Sequence, residues 1–214
     1  MRNKIVTDET LLRRKCDPVR NVREGGEVAR KLQDALRQVN KRALNKFRKS
    51  GGKSELVQGI GLSAPQIGIH KQVCLLMVNE RPIVLMNPVI IGQSHDMIQF
   101  DEGCLSFPGV KVTTRRHLWV IVDTLNTGMM TFGPTDPLGL NKTSLLLSVA
   151  AQHEIAHLSG QLMQDFAIPA KQEAAGDSTN NTGGVRELQD AGAGLCGPDC
   201  EQSHARDERL VNCA

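Results

Sequence analysis

Residues 145–158, LLLSVAAQHEIAHL, are apolar on nearly every side yet carry two histidines four positions apart. A helix that is apolar all round has to be buried, so the rest of the domain must be packed about it. Thr143 or Ser144 is placed to cap its start, and Gly160 follows Ser159 as a terminator. On such a helix His153 and His157 share one face, so both imidazoles can reach a single ion while Glu154 stands beside its open position. The run His153-Glu154-Ile155-Ala156-His157 therefore predicts metal-dependent hydrolysis, provided that a third ligand exists.

Elements suited to surround this helix precede it. Residues 73–78, 83–86 and 89–91 are short apolar runs broken by Asn79, Pro82 and Pro88, and 118–122 is a fourth, so strands are expected at each. Over 27–48 the apolar residues Val28, Leu32, Ala35, Leu36, Val39, Ala43, Leu44 and Phe47 recur at helical spacing, ended by Ser50-Gly51-Gly52. Pro134, Pro137 and Gly139 mark a loop. Strands followed by a late buried helix predict an α+β fold, with antiparallel or mixed β-sheets packed around a central helix that carries H-E-x-x-H.

The 214 residues suit one catalytic domain over 1–172, and the Gly-, Ser-, Asn- and Asp-rich 173–214 reads as a flexible tail. A net charge of +3 gives no argument for a nucleic-acid protein. The chain lacks the run of about 20 apolar residues that a membrane span needs. Its first residues lack a secretory apolar segment, and Asp8 and Glu9 oppose a transit peptide, so a cytoplasmic location is expected. There the cysteines are expected as reduced thiols or metal ligands. Cys196, Cys200 and His204 form an unusual C-x3-C grouping without an obvious fourth ligand. The late turns of the long helix carry Arg37, Lys41, Arg42, Lys46, Arg48 and Lys49, with Lys53 beyond. These cations read as a solvated face near a helix C-terminus, or as a contact for RNA.

A third metal ligand is offered by Cys104 in Glu102-Gly103-Cys104-Leu105-Ser106, where Gly103 would let the backbone bring the sulfur close. Taken alone, Cys104 also reads as a small buried hydrophobe. Residues 59–66, GIGLSAPQ, form a glycine-punctuated loop that ends in a side-chain amide. It lacks the third glycine of a dinucleotide fingerprint, and by itself it reads as a tight turn.

In order and wording, GIGLSAPQ, EGCLS and QHEIAHLSG resemble the three signature motifs of the peptide deformylases. The opening IVTDETLLRRKCDPV also looks like the family's start, so the resemblance runs from about residue 4 to about 170. It implies a hydrolase that removes the N-formyl group from the initiator formyl-methionine of nascent polypeptides and releases formate. By motif position Cys104, His153 and His157 would hold one divalent ion, typically iron(II), with zinc, nickel or cobalt able to take its place. Glu154 would move the proton, and the Leu105 N–H and the Gln66 amide would face the charge that develops on the formyl oxygen. Gly61 would let the loop approach an extended substrate. Ile60, Leu146, Val149 and Ala150 lie where the family builds its methionine pocket, although core packing accounts for each equally well. The implied partner is an N-formyl-methionyl peptide or nascent chain, with the ribosome as a further partner through the basic helix. No membrane and no specific nucleic-acid sequence is expected.

Some positions depart from the family. Ala156 replaces the aspartate of H-E-x-D-H, which would leave Arg116 without the partner it has in relatives. Lys111 stands where many relatives carry arginine, Ser63 in place of alanine reads as a small change, and FGPTDPLGLNKTSLLL resembles the family only loosely. Two other readings remain: an H-E-x-x-H metallopeptidase using Glu173 or Glu187 as third ligand, and a weakly active family member that binds ribosomes or nascent chains.

Overall fold

The strand Val73–Val78 is apolar throughout because both of its faces are covered. Val73 and Leu75 point into one core cluster, and Cys74 and Leu76 point into a second, as strand alternation requires. The computed structural model describes residues 4–53, 58–78, 81–134 and 142–169. The expected tail, Glu173, Glu187 and the Cys196, Cys200 and His204 grouping lie outside the described residues, as does most of the expected loop after Pro134.

A one-turn helix α1 (Glu9–Leu12) is capped by Asp8, and α2 (Val22–Lys49) is capped by Asn21, whose side chain accepts from the Glu24 N–H at 3.0 Å. Among the described residues eight strands follow: β1 (Gly61–Ser63), β2 (Val73–Val78), β3 (Arg81–Met86), β4 (Val89–Gln93), β5 (Met97–Cys104), β6 (Phe107–His117), β7 (Val120–Asp123) and β8 (Met130–Phe132). The last long element is α3 (Lys142–Leu158), which starts before Thr143 and so places Thr143 and Ser144 in its first turn, inside the expected cap. The sheets are β1-β2-β3, β4-β7-β8 and the hairpin β5-β6, and every strand pair is antiparallel.

Helix α2 covers one face of the first sheet. Its buried stripe of Val28, Leu32, Ala35 and Leu36 packs with Leu62, Val73, Leu75 and Met86. Helix α3 covers the other face, where Ala150, Ala151 and Leu158 meet Cys74, Leu76, Leu85 and the β7 residues Val120 and Val122. It packs against β1, β2, β6 and β8, which is the expected α+β arrangement around a central helix. Each fully buried Leu in these layers contributes about 1.5–3 kcal/mol.

Two devices fix α3 lengthwise. Near its middle, Gln152 accepts from the His117 N–H at 3.0 Å and donates to the His117 carbonyl at 2.9 Å, which ties the helix to the end of β6. At its end the Cys16 N–H donates to the Leu158 carbonyl at 3.0 Å, and Gly160 turns the chain with φ +75°. A Cβ at Gly160 would lie 2.2 Å from the Arg13 carbonyl oxygen, so only glycine fits there. Among the described residues no helix is long and apolar enough to cross a membrane, and Cys16, Cys74 and Cys104 are free thiols.

Candidate active site

Helix α3 presents His153 and His157 towards the end of β5, where Cys104 lies. Their ligating atoms and the Cys104 sulfur all fall within 4.8 Å of one another, and all three residues are buried. The His157 Nε2 is 3.2 Å from the His153 Nε2 and 3.4 Å from the Cys104 Sγ. Donors at ordinary bond lengths around a tetrahedral transition metal lie about 3.3–3.6 Å apart, so this triangle fits an ion held by two imidazoles and a thiolate. The expected reason for Gly103 is not found, since a Cβ there would meet nothing nearer than 3.9 Å. Strand alternation sets Cys104 on the inward face with Glu102, and the register shifts between Gly103 and Cys104 just before the Leu105-Ser106 turn.

Arg116 does have a partner, contrary to the expectation drawn from Ala156. Its Nε and Nη2 donate to the two oxygens of Glu102 at 2.6 and 3.1 Å, and its guanidinium lies 3.9 Å over the Phe166 ring. Glu102, Thr114 and Arg116 alternate along facing strands and so share the inward face of the β5-β6 hairpin. Thr114 donates its hydroxyl to Glu102, and the His153 Nδ1 lies 2.6 Å from the Glu102 Oε2. The carboxylate that faces Arg116 thus comes from the sheet side, from the residue that opens the EGCLS run.

The electrostatics follow from these contacts. Burial pushes the Glu102 carboxyl up, but bonds from His153 and Arg116 outweigh it and bring the carboxyl from 4.5 down to about 2. The stability it contributes is in place above pH 4.5 and is lost as the pH falls from there through about 2. Burial disfavours charge on His153, yet its interactions with Cys104 and Glu102 win and raise it to about 10. A ligating imidazole has to shed that proton, so ion binding here is coupled to proton release. Burial and the charge of His153 lower His157 to about 3, which leaves its Nε2 lone pair available. The Glu154 carboxyl is fully enclosed, and burial raises it above the usual carboxylate range.

The 59–66 segment arrives from the other side. Asn40 of α2 holds Gly59 by both backbone groups, donating to its carbonyl at 3.0 Å and accepting from its N–H at 2.8 Å. No sequence signal sets Asn40 apart from the other polar positions of α2, since its partner is a backbone 19 residues away. Gln66 sits in a one-turn 3-10 helix, Ala64–Ile67. Its Oε1 accepts from the Ser63 N–H at 2.8 Å, which leaves its Nε2 aimed at the Cys104 sulfur and the Ser106 hydroxyl, each 3.3 Å away. Leu105 occupies the hairpin turn beside Cys104, with its side chain against the α2 core. Gly61 abuts Glu154, since a Cβ there would lie 2.6 Å from the Glu154 Oε1. Of the residues expected to line a pocket, Ile60 and Ala150 join one apolar cluster, while Val149 is buried and Leu146 half-buried on α3.

Comparison with known proteins identifies the family. The family model described as Polypeptide deformylase matches residues 2–173. The peptide deformylase of Cellvibrio japonicus is 39% identical over 116 residues, which are 53% of this chain and 64% of that protein, a little under two thirds of its length. That of Acetivibrio thermocellus is 34% identical over 151 residues, covering 70% of this chain and 84% of the relative. The solved structure of peptide deformylase from Plasmodium falciparum matches with a TM-score of 0.52 and 27% identity, over 78% of this chain and 87% of that one. With the family model spanning the hairpin, the 59–66 segment and the whole of α3, the chain belongs to the polypeptide deformylase family of enzymes.

Proposed function

We propose that this protein hydrolyses the formamide bond of N-formyl-methionyl peptides, releasing formate and a free amino terminus. The observation that carries the reading is the placing of the Gln66 amide and the Leu105 turn beside a Cys-His-His triangle, with an enclosed carboxyl from Glu154 next to it. A divalent ion on Cys104, His153 and His157 supplies the Lewis acidity that makes water nucleophilic near neutral pH. The thiolate and imidazole set suits a transition metal, and iron(II) is the proposed ion, with zinc, nickel and cobalt as substitutes.

The remaining work falls to the chain's own groups. Glu154 accepts the proton of the attacking water and delivers it to the departing amine, a role typically worth about 10²–10⁴ in rate. Its raised proton affinity suits a group that must hold a proton between the two events. The Gln66 Nε2 and the Leu105 N–H donate to the formyl oxygen as charge builds, each worth about 10²–10³. Ile60, Leu146, Val149 and Ala150 are proposed to form the methionine pocket, and Gly61 offers backbone to an extended peptide. Glu102 holds His153 in one tautomer and orientation. Accordingly Glu102→Gln is expected to weaken ion affinity about 10- to 100-fold, measured by competition with a chromogenic chelator. Unchanged affinity would contradict that role.

Product analysis tests the function. A formyl-methionyl tripeptide should yield formate and the intact tripeptide, whereas cleavage within the tripeptide would establish the metallopeptidase reading. The proximity of Cys104 to both histidines favours the former, since it removes the need for a downstream ligand. The third reading rested on Ala156 and on the basic run of α2; Glu102 gives Arg116 the partner that Ala156 was expected to remove, and the basic run stands. Arg42, Lys46 and Lys49 are exposed at the end of α2, so ribosome docking is retained as a proposed partner contact.

A further inference from the structure

On β1 residues 61 and 63 share one face, and Leu62 points to the opposite core. Both therefore face α3, and both meet Glu154. Gly61 leaves the space that the Glu154 Oε1 and Cγ fill, at 2.6 and 2.8 Å from where a Cβ would stand. Ser63, fully buried, donates its hydroxyl to the Glu154 Oε2, and its Oγ also lies 2.8 Å from the Glu154 carbonyl oxygen. The same residue's N–H fixes the Gln66 amide. One residue thus touches the acid-base side chain and the amide that faces the substrate.

We propose that Ser63 is a positioning residue, whose hydroxyl holds the Glu154 carboxyl group against the side-chain-free surface of Gly61. A buried carboxyl without a partner keeps rotamer freedom, and a hydroxyl on one oxygen with a close seat for the other restricts it. A hydroxyl both donates and accepts, and with the Glu154 carbonyl as a second acceptor it stays bonded whichever partner carries the proton. An alanine at this position keeps the backbone bond to Gln66 and loses only the hold on Glu154.

The proposal rests on the deformylase reading for its kinetic arm alone. Infrared difference spectra between the zinc-loaded full-length chain and its Glu154→Gln variant isolate the Glu154 carboxyl bands. Repeated in a Ser63→Ala background, these bands are expected to move to the position of a carboxyl without that hydrogen bond. Gly61→Ala should shift them too, by displacing the carboxyl. In the formate assay Ser63→Ala is expected to lower kcat about tenfold with KM unchanged. It should cause no further loss in the Glu154→Gln background, because the two groups act as a unit. Carboxyl bands unmoved by Ser63→Ala would overturn the proposal, and so would an equal loss in both backgrounds. Absence of formate from the wild-type protein would instead sink the deformylase reading, with the spectra still deciding the role of Ser63.

Discussion

Glu154→Gln is expected to lower kcat for formate release by about 10²–10⁴ while leaving one ion bound per chain. The change is nearly isosteric, and the amide oxygen can still accept the Ser63 hydroxyl, so the fold and the ligand triangle should persist. What disappears is a group able to take a proton from water and return it. The check is steady-state kinetics beside metal analysis on the same sample. Wild-type turnover in this variant would mean that another group moves the proton, and the enclosed carboxyl would then have no role in the chemistry.

The second large effect concerns Cys104. Replacing it with Ala removes one of three donors, and it should reduce ion affinity by more than the roughly 10- to 100-fold typical of supporting residues. A thermal shift reads this directly. An ion at 100 times its dissociation constant stabilises the folded chain by about 2.7 kcal/mol, so added zinc should raise the wild-type melting temperature and leave Cys104→Ala unmoved. An equal rise in both proteins would show that the sulfur is not a ligand, and the case for the deformylase geometry over a peptidase would fall with it.

Much of the fold was legible where burial was one-sided or complete. The apolar run of β2 was visible because α2 and α3 cover its two faces, and the end of α3 was visible because only glycine can turn beneath the Arg13 carbonyl. The hairpin β5-β6 was not read, although it carries Cys104. Its inward positions mix Ile98, Phe100 and Val112 with Glu102, Thr114 and Arg116, and its outward positions include Asp101, Lys111 and Arg115, so the apolar alternation breaks off after two or three residues in each strand. The polar inner face that hid the strands is the network that orients His153. Strand β1 has only three residues, too few for a pattern.

The site divides in the same way. Its candidate ligands could be named from spacing and motif order, and the structure brings Cys104, His153 and His157 within 4.8 Å of one another. Its supports could not, because they depend on pairings across chain separations that no local pattern encodes. Glu102 stood in plain view at the head of its motif, but its bonds to Arg116 and His153 exist only once β6 and α3 are in place. Ser63 looked like a minor exchange for alanine, and its weight comes from where β1 sets its hydroxyl.

One ion on Cys104, His153 and His157 is proposed to equip this chain to deformylate a peptide. The most direct measurement is formate release from a formyl-methionyl tripeptide by anaerobically iron-loaded protein, recorded while a chelator strips the ion in steps. The rate should fall in proportion to bound iron, reach zero with the ion gone and return on reloading. Formate release that continues at full rate in the stripped protein would contradict it.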